Sequence, residues 1–174
     1  MEKRKLGLTG FEVSAVGFGG IPLQRVDKET AVAMLKEALN QGINFIDTAR
    51  GYLTSESLIG DALEIIGRDK FILATKSMNR SREGIKQELD TSLKNLKTDY
   101  IDLYQFHNVR SMDDYNRLMS EDGAYRYVLE AKEQGVVKHI GVSSHSADVL
   151  KVVVETDFFE TIQFPYNAVE RQGE

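Results

Sequence analysis

The sequence predicts an α/β fold in which parallel strands alternate with helices, and two observations support this prediction. The first is a series of short apolar runs that each end in a polar residue, at residues 45–47, 71–76, 101–107, 139–143 and 161–163. Strands that are buried on both faces of a parallel sheet have such nearly continuous apolar sequences. The second observation is that helical patterns separate successive runs, which is the arrangement that parallel strands require.

The first residues predict a hairpin and the first strand–helix unit. Apolar and polar residues alternate on both sides of a Gly-containing turn at residues 9–10, which predicts a small hairpin over about residues 4–14. The apolar run at 15–18 predicts the first strand. Asp27 is then expected to cap a helix that Gly42 ends, because an acidic N-cap and a glycine after the last turn are typical helix boundaries.

The remaining helices follow the same pattern. Ser55 is expected to cap the helix after the second strand, and apolar residues at helical spacing over 85–96 predict the clearest helix of the chain. The segment 113–134 predicts two helices with a break near 122–123, where an Asp-Gly pair favours a turn. Ser146 is expected to begin the last helix.

A barrel of β/α units is favoured over a doubly wound sheet for two reasons. Polar residues follow nearly every strand, whereas a doubly wound sheet would concentrate functional residues at one switch point. In addition, the Gly-Phe-Gly-Gly stretch at 17–20 does not match the Gly-x-Gly-x-x-Gly turn of dinucleotide-binding sheets. A complete (β/α)8 barrel needs roughly 250 residues, so residues 1–174 are expected to be the N-terminal part of a single barrel, a truncated chain with about the first six units.

The charge and composition argue against several classes of function. A formal net charge of −5 and a pI near 5.3 leave no basic stripe for nucleic acid. No apolar run is long enough to span a bilayer, so we expect no membrane partner and a cytoplasmic protein. The sequence has no cysteine, so no disulfide framework and no thiolate metal site are expected within it.

The polar residues at the strand ends predict one site. Because the carboxyl ends of parallel strands meet at the same end of a barrel, these side chains are expected to converge. The expected cluster comprises Asp47, Tyr52, Lys76, His107, Ser143 and Gln163. Each alone has an ordinary structural explanation, such as a loop hydrogen bond for Asp47 or a buried, hydrogen-bonded ring for His107. Their joint occurrence at successive strand ends favours a catalytic site.

The cluster suits the reduction of a carbonyl group. A tyrosine with a pKa near ~10 is a poor proton donor at neutral pH, and a neighbouring ammonium group such as Lys76 is expected to lower the pKa of Tyr52. Asp47 can keep Lys76 charged and oriented, and His107 can donate a hydrogen bond to a substrate oxygen. Since no side chain carries hydride, such a reaction requires a nicotinamide or flavin cofactor.

The motifs in these segments resemble those of the aldo-keto reductase superfamily. They are Gly-Ile-Asn-Phe-Ile-Asp-Thr-Ala-x-Gly-Tyr at 42–52, Ser-Glu at 55–56, Ala-Thr-Lys at 74–76, Asp-Tyr-Ile-Asp-Leu at 99–103 with His107 after it, and Ile-Gly-Val-Ser at 140–143. The resemblance runs in register from the hairpin to Asn167 and covers nearly all of the chain.

The resemblance implies a (β/α)8 barrel of the aldo-keto reductase type that binds NADP(H) or NAD(H). It places a catalytic tetrad on Asp47, Tyr52, Lys76 and His107. It implies cofactor contacts at Gly20, Ile21, Asp47, Ser143, Ser144 and Gln163. Ser143 and Gln163 match the positions that bind the nicotinamide carboxamide. Many members have Ser-Asn where this chain has Ser143-Ser144, which keeps a hydroxyl group there.

Residues 143–145 and 163–167 resemble those of a bacterial subgroup that often carries a C-terminal iron–sulfur module. An iron–sulfur cluster is therefore expected only in a region beyond residue 174. The segments that would complete the barrel and hold the cofactor phosphates are also expected beyond that residue.

Three functions are consistent with this site. The first is an NAD(P)H-dependent aldehyde or ketone reductase that acts on a small carbonyl substrate, with Tyr52 as the proton donor. The second is a regulatory subunit that binds the cofactor with little turnover, although the four tetrad residues favour catalysis. The third is an unrelated barrel enzyme, such as an aldolase, in which Lys76 forms a Schiff base.

Six strands are too few to close a barrel with the tilt and stagger of eight. The first and sixth strands are therefore expected to keep unpaired backbone groups along their outer edges. Such edges favour pairing with another chain, so we expect self-association through the open edges.

Overall fold

The chain begins with an antiparallel hairpin at the amino-terminal ends of the main strands. The computed structural model of the protein describes residues 1–171. The hairpin strands are β1 (Lys3–Lys5) and β2 (Glu12–Ser14). The backbone N–H of Leu8 donates to the carbonyl of Glu160 at 2.8 Å, and Asn44 Oδ1 accepts from the N–H of Ser14 at 2.7 Å. The predicted hairpin is present, but its connection is longer than the two residues expected.

Six parallel strands form one curved sheet in the order of the chain. They are β3 (Phe18–Gly19), β4 (Phe45–Asp47), β5 (Ile72–Ser77), β6 (Ile101–Phe106), β7 (Val137–Ser143) and β8 (Thr161–Gln163). Strand β3 begins later than the predicted 15–18 because the N–H of Ala15 still bonds the carbonyl of Glu2 beside the hairpin. The arrangement of about six β/α units as part of an eight-unit barrel confirms the predicted fold class.

Six α-helices cover the outer face of the sheet within the described residues. They are α1 (Lys28–Asn40), α2 (Ser55–Ile66), α3 (Arg82–Leu96), α4 (Met112–Met119), α5 (Ala124–Glu133) and α6 (Ala147–Val154). Asp27 and Ser146 accept hydrogen bonds as N-cap residues of α1 and α6, as the sequence predicts. Gly42 follows α1 with φ +84°, a backbone conformation that glycine adopts without strain.

The predicted cap of α2 is wrong. Thr54 occupies the N-cap position, and Ser55 is the first residue of the helix. The Ser55 hydroxyl is fully buried and donates to the carbonyl of Gly20 at 2.8 Å, and it lies 2.9 Å from Thr48 Oγ1. The Ser55 hydroxyl therefore ties the start of α2 to the loop after β3.

The core lies between the sheet and the helices. Leu73, Tyr104 and Phe106 are fully buried, and α2 packs closely on α3. A Cβ atom added at Gly60 would lie 2.1 Å from the carbonyl oxygen of Asn95, so these two helices approach each other only because residue 60 has no side chain. This packing fixes the strands whose carboxyl ends carry the site.

None of the helices within residues 1–171 is both long enough and apolar enough to cross a membrane.

Strands β3 and β8 stand at the two ends of the sheet, each with a neighbouring strand on one side. Side chains beside these strands reach solvent, with Val16 54% and Phe164 36% exposed and with Phe18 and Ile162 half-buried. An exposed strand edge with apolar residues favours pairing with another chain.

A polypeptide of residues 1–174 alone is expected to self-associate or aggregate through these edges and to leave NADPH unoxidised in the presence of an aldehyde. Sedimentation velocity over a range of concentrations measures the self-association, and absorbance at the NADPH band measures turnover. A soluble, cooperatively unfolding monomer that reduces the aldehyde would contradict this expectation.

Candidate active site

The carboxyl ends of the strands enclose one cavity with a volume of about 300 Å³. Asp47 is the last residue of β4, Lys76 lies near the end of β5, and His107 directly follows β6. The cavity is lined by Asp47, Tyr52, Lys76, His107, Asn108, Ser143, His145, Gln163, Phe164 and Pro165. All six members of the cluster predicted from the strand ends therefore reach the same cavity.

A buried ion pair forms one wall of the cavity. The Lys76 ammonium is 2.5 Å from Asp47 Oδ2 and donates to the carbonyl of Thr48 at 2.9 Å, and Lys76 is only 3% exposed. Burial lowers the pKa of Lys76, and the charge of Asp47 acts in the opposite direction. Because two hydrogens of the ammonium are donated to Asp47 and Thr48, the third can be donated to a ligand in the cavity.

Tyr52 lies beside this ion pair and beside His107. Its ring meets the His107 ring edge to face, with centroids 5.8 Å apart, and Lys76 Nζ is 5.3 Å from the Tyr52 ring centroid. Burial raises the pKa of Tyr52, and the charge of Asp47 raises it further. The expectation that Lys76 lowers the pKa of Tyr52 is therefore wrong for this structure. Lys76 Nζ lies 2.5 Å from Asp47 Oδ2, and of these two charges it is that of Asp47 that acts on the pKa of Tyr52.

The loop that carries Tyr52 is held at both ends. The N–H of Arg50 donates to the carbonyl of Lys76 at 2.8 Å, and its guanidinium binds the carboxylate of Glu56. Glu56 is fully buried and also accepts from the hydroxyl of Thr75 at 2.8 Å. After the tyrosine, the N–H of Ser55 donates to the carbonyl of Tyr52 at 2.8 Å. The buried carboxylate therefore fixes the approach of the phenol to the cavity.

His107 presents a neutral imidazole to the cavity. Burial, and secondly the charge of Lys76, lower its pKa to about 4. Its backbone is fixed because its N–H donates to the carbonyl of Ser77 at 2.7 Å and its carbonyl accepts from Arg80 Nη2 at 2.8 Å. Arg80 is itself held by the carboxylate of Asp114, with Nε 2.9 Å from Oδ1. A neutral ring in this position can donate a hydrogen bond without adding a positive charge.

The two serines after β7 have different surroundings. Ser143 lines the cavity, and its Oγ accepts from the N–H of Asn108 at 2.8 Å, so its hydroxyl hydrogen can be donated to a ligand. Ser144 is fully buried outside the cavity lining. Its hydroxyl donates to the carbonyl of Val109 at 2.6 Å and accepts from the N–H of Ser146 at 3.0 Å. The structure therefore does not bring the Ser144 hydroxyl to the site.

The loop after β3 lies next to the site without lining the cavity. The N–H of Gly20 donates to the carbonyl of Asp47 at 2.8 Å, and Ile21 is exposed. Gly20 has no room for a side chain, since an added Cβ atom would lie 2.7 Å from the hydroxyl oxygen of Ser55. This loop therefore supports the backbone at Asp47.

Sequence reasoning missed Gln105, which lies two residues before His107 on β6. Its side-chain nitrogen donates to Asp47 Oδ1 at 3.2 Å and to Gln163 Oε1 at 3.3 Å. Residues two apart on a strand face the same side, so a polar residue at position 105 was a signal that the pattern contained. Asn108, His145, Phe164 and Pro165, which also line the cavity, were not predicted as site residues.

The residues around the cavity fit a nicotinamide ring and a carbonyl substrate. The hydroxyl hydrogen of Ser143 and the amide of Gln163 are suited to a carboxamide group, and the cavity is also lined by a phenol, a neutral imidazole and an ammonium group.

Among residues 1–171, no three His, Cys, Asp or Glu side chains lie close enough together to hold a metal ion. An iron–sulfur module was expected only beyond residue 174, so these residues do not bear on it.

Comparison with known proteins identifies similar chains. Residues 15–174 match the family model described as "Aldo/keto reductase family". Two relatives come from Bacillus subtilis (strain 168). The "Uncharacterized oxidoreductase YqkF" is 35% identical over 188 residues, which cover 100% of this chain and 59% of the relative. The "Aldo-keto reductase YhdN" is 34% identical over 192 residues, which cover 100% of this chain and 56% of the relative.

A solved structure with a similar fold is the "aldo-keto reductase AKR11C1 from Bacillus halodurans (holo form)". The TM-score is 0.83 with 35% sequence identity, and the match covers 95% of this chain and 58% of that chain. The chain thus spans less than two thirds of the length of these relatives.

His107 is expected to stay neutral in the folded protein as the pH falls, and to take up a proton only near pH 4. In the unfolded chain a histidine titrates near ~6.5, so the unfolded state binds more protons between these two values. The free energy of unfolding should therefore fall as the pH is lowered through this window.

Nitrogen-15 NMR of the imidazole rings measures the titration, and His107→Gln assigns the signal among the histidines. The variant should also show a flatter pH dependence of the urea midpoint between pH 6.5 and 4. A His107 ring that titrates near ~6.5 in the folded protein would contradict this description of its surroundings.

Proposed function

The chain belongs to the aldo/keto reductase family, and on that basis we propose that the protein reduces an aldehyde or ketone with hydride from NAD(P)H. The observation that carries the proposal is the convergence of the Lys76–Asp47 ion pair, Tyr52 and a neutral His107 on one cavity. This proposal includes Tyr52 as the proton donor, a small carbonyl compound as the substrate and the cytoplasm as the location. It also treats residues 1–174 as the N-terminal part of a single barrel.

Tyr52 is suited to protonate the substrate oxygen. The phenol is protonated at neutral pH, and the alkoxide that forms at the substrate oxygen is a stronger base than the phenolate, so Tyr52 can give up its proton there although its pKa is raised. The phenolate that remains needs a nearby positive charge. Lys76 can supply it through the third hydrogen of its ammonium group, because Asp47 keeps Lys76 charged despite its burial.

His107 and the rest of the cavity position the carbonyl group. The neutral imidazole donates a hydrogen bond to the oxygen that Tyr52 protonates, which orients the carbonyl carbon. A bound reduced nicotinamide supplies the hydride that no side chain can supply. Ser143 and Gln163 are the residues that would hold its carboxamide, and the loop at Gly20 and Ile21 would border it. Ser144 is not included, because its hydroxyl is used within the protein.

Schiff-base chemistry at Lys76 is less well supported. Such a lysine must lose its proton to act as a nucleophile, and burial does lower the pKa of Lys76. However, the carboxylate of Asp47 at 2.5 Å stabilises the ammonium form, and the carbonyl of Thr48 accepts another of its hydrogens. Borohydride treatment in the presence of a carbonyl compound should therefore leave the mass of the peptide that contains Lys76 unchanged.

Replacing Tyr52 by phenylalanine tests the proposed proton donor in the native protein. Tyr52→Phe should lower the rate of carbonyl reduction by about 10²-fold or more, as expected for the loss of a general acid. The dissociation constant of the nicotinamide dinucleotide should change little, since the phenol is not proposed to bind the carboxamide.

Tyr127→Phe is a matched control, because Tyr127 lies on α5 outside the cavity lining. Steady-state kinetics with a short aldehyde and calorimetric titration of the cofactor measure the two effects. A Tyr52→Phe protein with a rate near that of the control would contradict the role of Tyr52.

The two adjacent serines provide a second test. Ser144→Ala removes two buried hydrogen bonds and should lower the free energy of unfolding by about 1–3 kcal/mol without changing cofactor affinity. Ser143→Ala should instead raise the dissociation constant of the nicotinamide dinucleotide by about 2- to 10-fold, which corresponds to one hydrogen bond. Urea denaturation and calorimetry separate these effects. The reverse assignment of the two effects would show that Ser144, and not Ser143, holds the carboxamide.

A further inference from the structure

Gln105 lies beneath the candidate active site and does not line its cavity. It is 2% exposed, and it borders a smaller internal cavity of about 120 Å³ that is also bordered by Asp47 and Gln163. Leu103, two residues earlier on the same face of β6, is buried in the same interior. Gln105 therefore stands at the level where the apolar interior of the sheet meets the polar site.

A buried amide at this level is costly unless its polar atoms are hydrogen-bonded. Packing alone would be served by an apolar residue of similar volume, such as leucine or methionine. The side-chain nitrogen of Gln105 instead contacts two acceptors, Asp47 Oδ1 at 3.2 Å and Gln163 Oε1 at 3.3 Å. These contacts join a proposed tetrad residue to a proposed cofactor contact.

The direction of these hydrogen bonds follows from the chemistry of Asp47. Its carboxylate is paired with Lys76 and can only accept, so the atom of Gln105 that faces it must be the amide nitrogen. The same nitrogen has a second hydrogen, which points at Gln163. Gln163 must therefore turn its oxygen toward Gln105, and its own NH2 group is left to face the cavity that Gln163 lines.

We propose that Gln105 is a positioning residue. Its hydrogen bond to Asp47 fixes the orientation of its own amide, and its hydrogen bond to Gln163 then fixes the orientation of the Gln163 amide. This inference rests on the proposed function. The NH2 group of Gln163 is thereby held ready to donate to the carbonyl oxygen of a nicotinamide carboxamide, beside the hydroxyl hydrogen of Ser143. Gln105 touches neither cofactor nor substrate, and it acts through Gln163 and Asp47.

This arrangement explains why a glutamine serves at position 105. Methionine would keep the volume and lose both donated hydrogen bonds, so the amide of Gln163 could turn over freely. Glutamate would place an acceptor beside the carboxylate of Asp47 and would favour a reversed Gln163 amide. The NH2 group of glutamine has two donor hydrogens on one atom, one for each of the two acceptors.

The test is a double-mutant cycle on cofactor affinity in the native protein. Gln105→Met and Gln163→Met should each raise the dissociation constant of NADPH or NADH by about 3- to 10-fold, measured by calorimetry. Because Gln105 acts through Gln163, the double variant should bind no more than about twofold more weakly than Gln163→Met alone. Gln134→Met, on the surface after α5, is the control for the substitution itself.

A second double-mutant cycle tests the hydrogen bond from Gln105 to Asp47, and the measured quantity is kcat. Gln105→Met should lower kcat by about 3- to 10-fold at saturating cofactor, because the carboxylate of Asp47 loses one of its two partners. In an Asp47→Ala background the same substitution should change kcat by less than about twofold, since no side-chain acceptor is left at position 47.

The outcomes separate positioning from packing. A purely structural Gln105 would lower the urea midpoint in Gln105→Met and leave the cofactor dissociation constant as in the control, which would overturn the inference. Effects of Gln105→Met and Gln163→Met that multiply in the double variant would overturn it as well. A native protein that binds no nicotinamide dinucleotide would overturn both the proposed function and this inference. If the native protein reduces the aldehyde but Gln105→Met leaves the cofactor dissociation constant and kcat unchanged, only this inference is overturned.

Discussion

The site depends on the ion pair between Lys76 and Asp47. A buried ammonium is strongly disfavoured, and removal of one member of such a pair leaves an uncompensated charge in the interior. The 2.5 Å contact joins the ends of two adjacent strands, β4 and β5, and the carbonyl of Thr48 accepts a further hydrogen. The strand register, which pairs Asp47 with Ala74, places the lysine within reach of the acid.

The same pair sets the properties of its neighbours. The charge of Lys76 adds to burial in keeping His107 neutral, and the charge of Asp47 adds to burial in keeping Tyr52 protonated. Asp47 also accepts from Gln105, which extends the network to Gln163. A protonated phenol, a neutral imidazole and the Gln163 amide thereby lie around a single cavity beside one buried pair. These are the groups that the proposed carbonyl reduction would use.

The sequence predicted what depends on strand ends, and it missed what depends on side-chain contacts across the sheet. Each residue of the expected cluster lies at, just before or just after the carboxyl end of a strand, so parallel topology alone brings them together. The burial of the Ser144 and Ser55 hydroxyls could not be predicted, because each depends on which way one side chain turns. The pKa of Tyr52 is raised mainly by its burial, which the sequence does not show, and Gln105 lies inside β6, before the strand end on which the prediction relied.

A crystal structure of the native protein with an oxidised nicotinamide dinucleotide tests the central claim most directly. We expect the nicotinamide ring to lie in the cavity, with its carboxamide on Ser143 and Gln163 and its C4 atom facing the space between Tyr52 and His107. The ion pair between Lys76 and Asp47 should remain intact in the complex. A nicotinamide bound away from this cavity, or a Lys76 separated from Asp47, would contradict it.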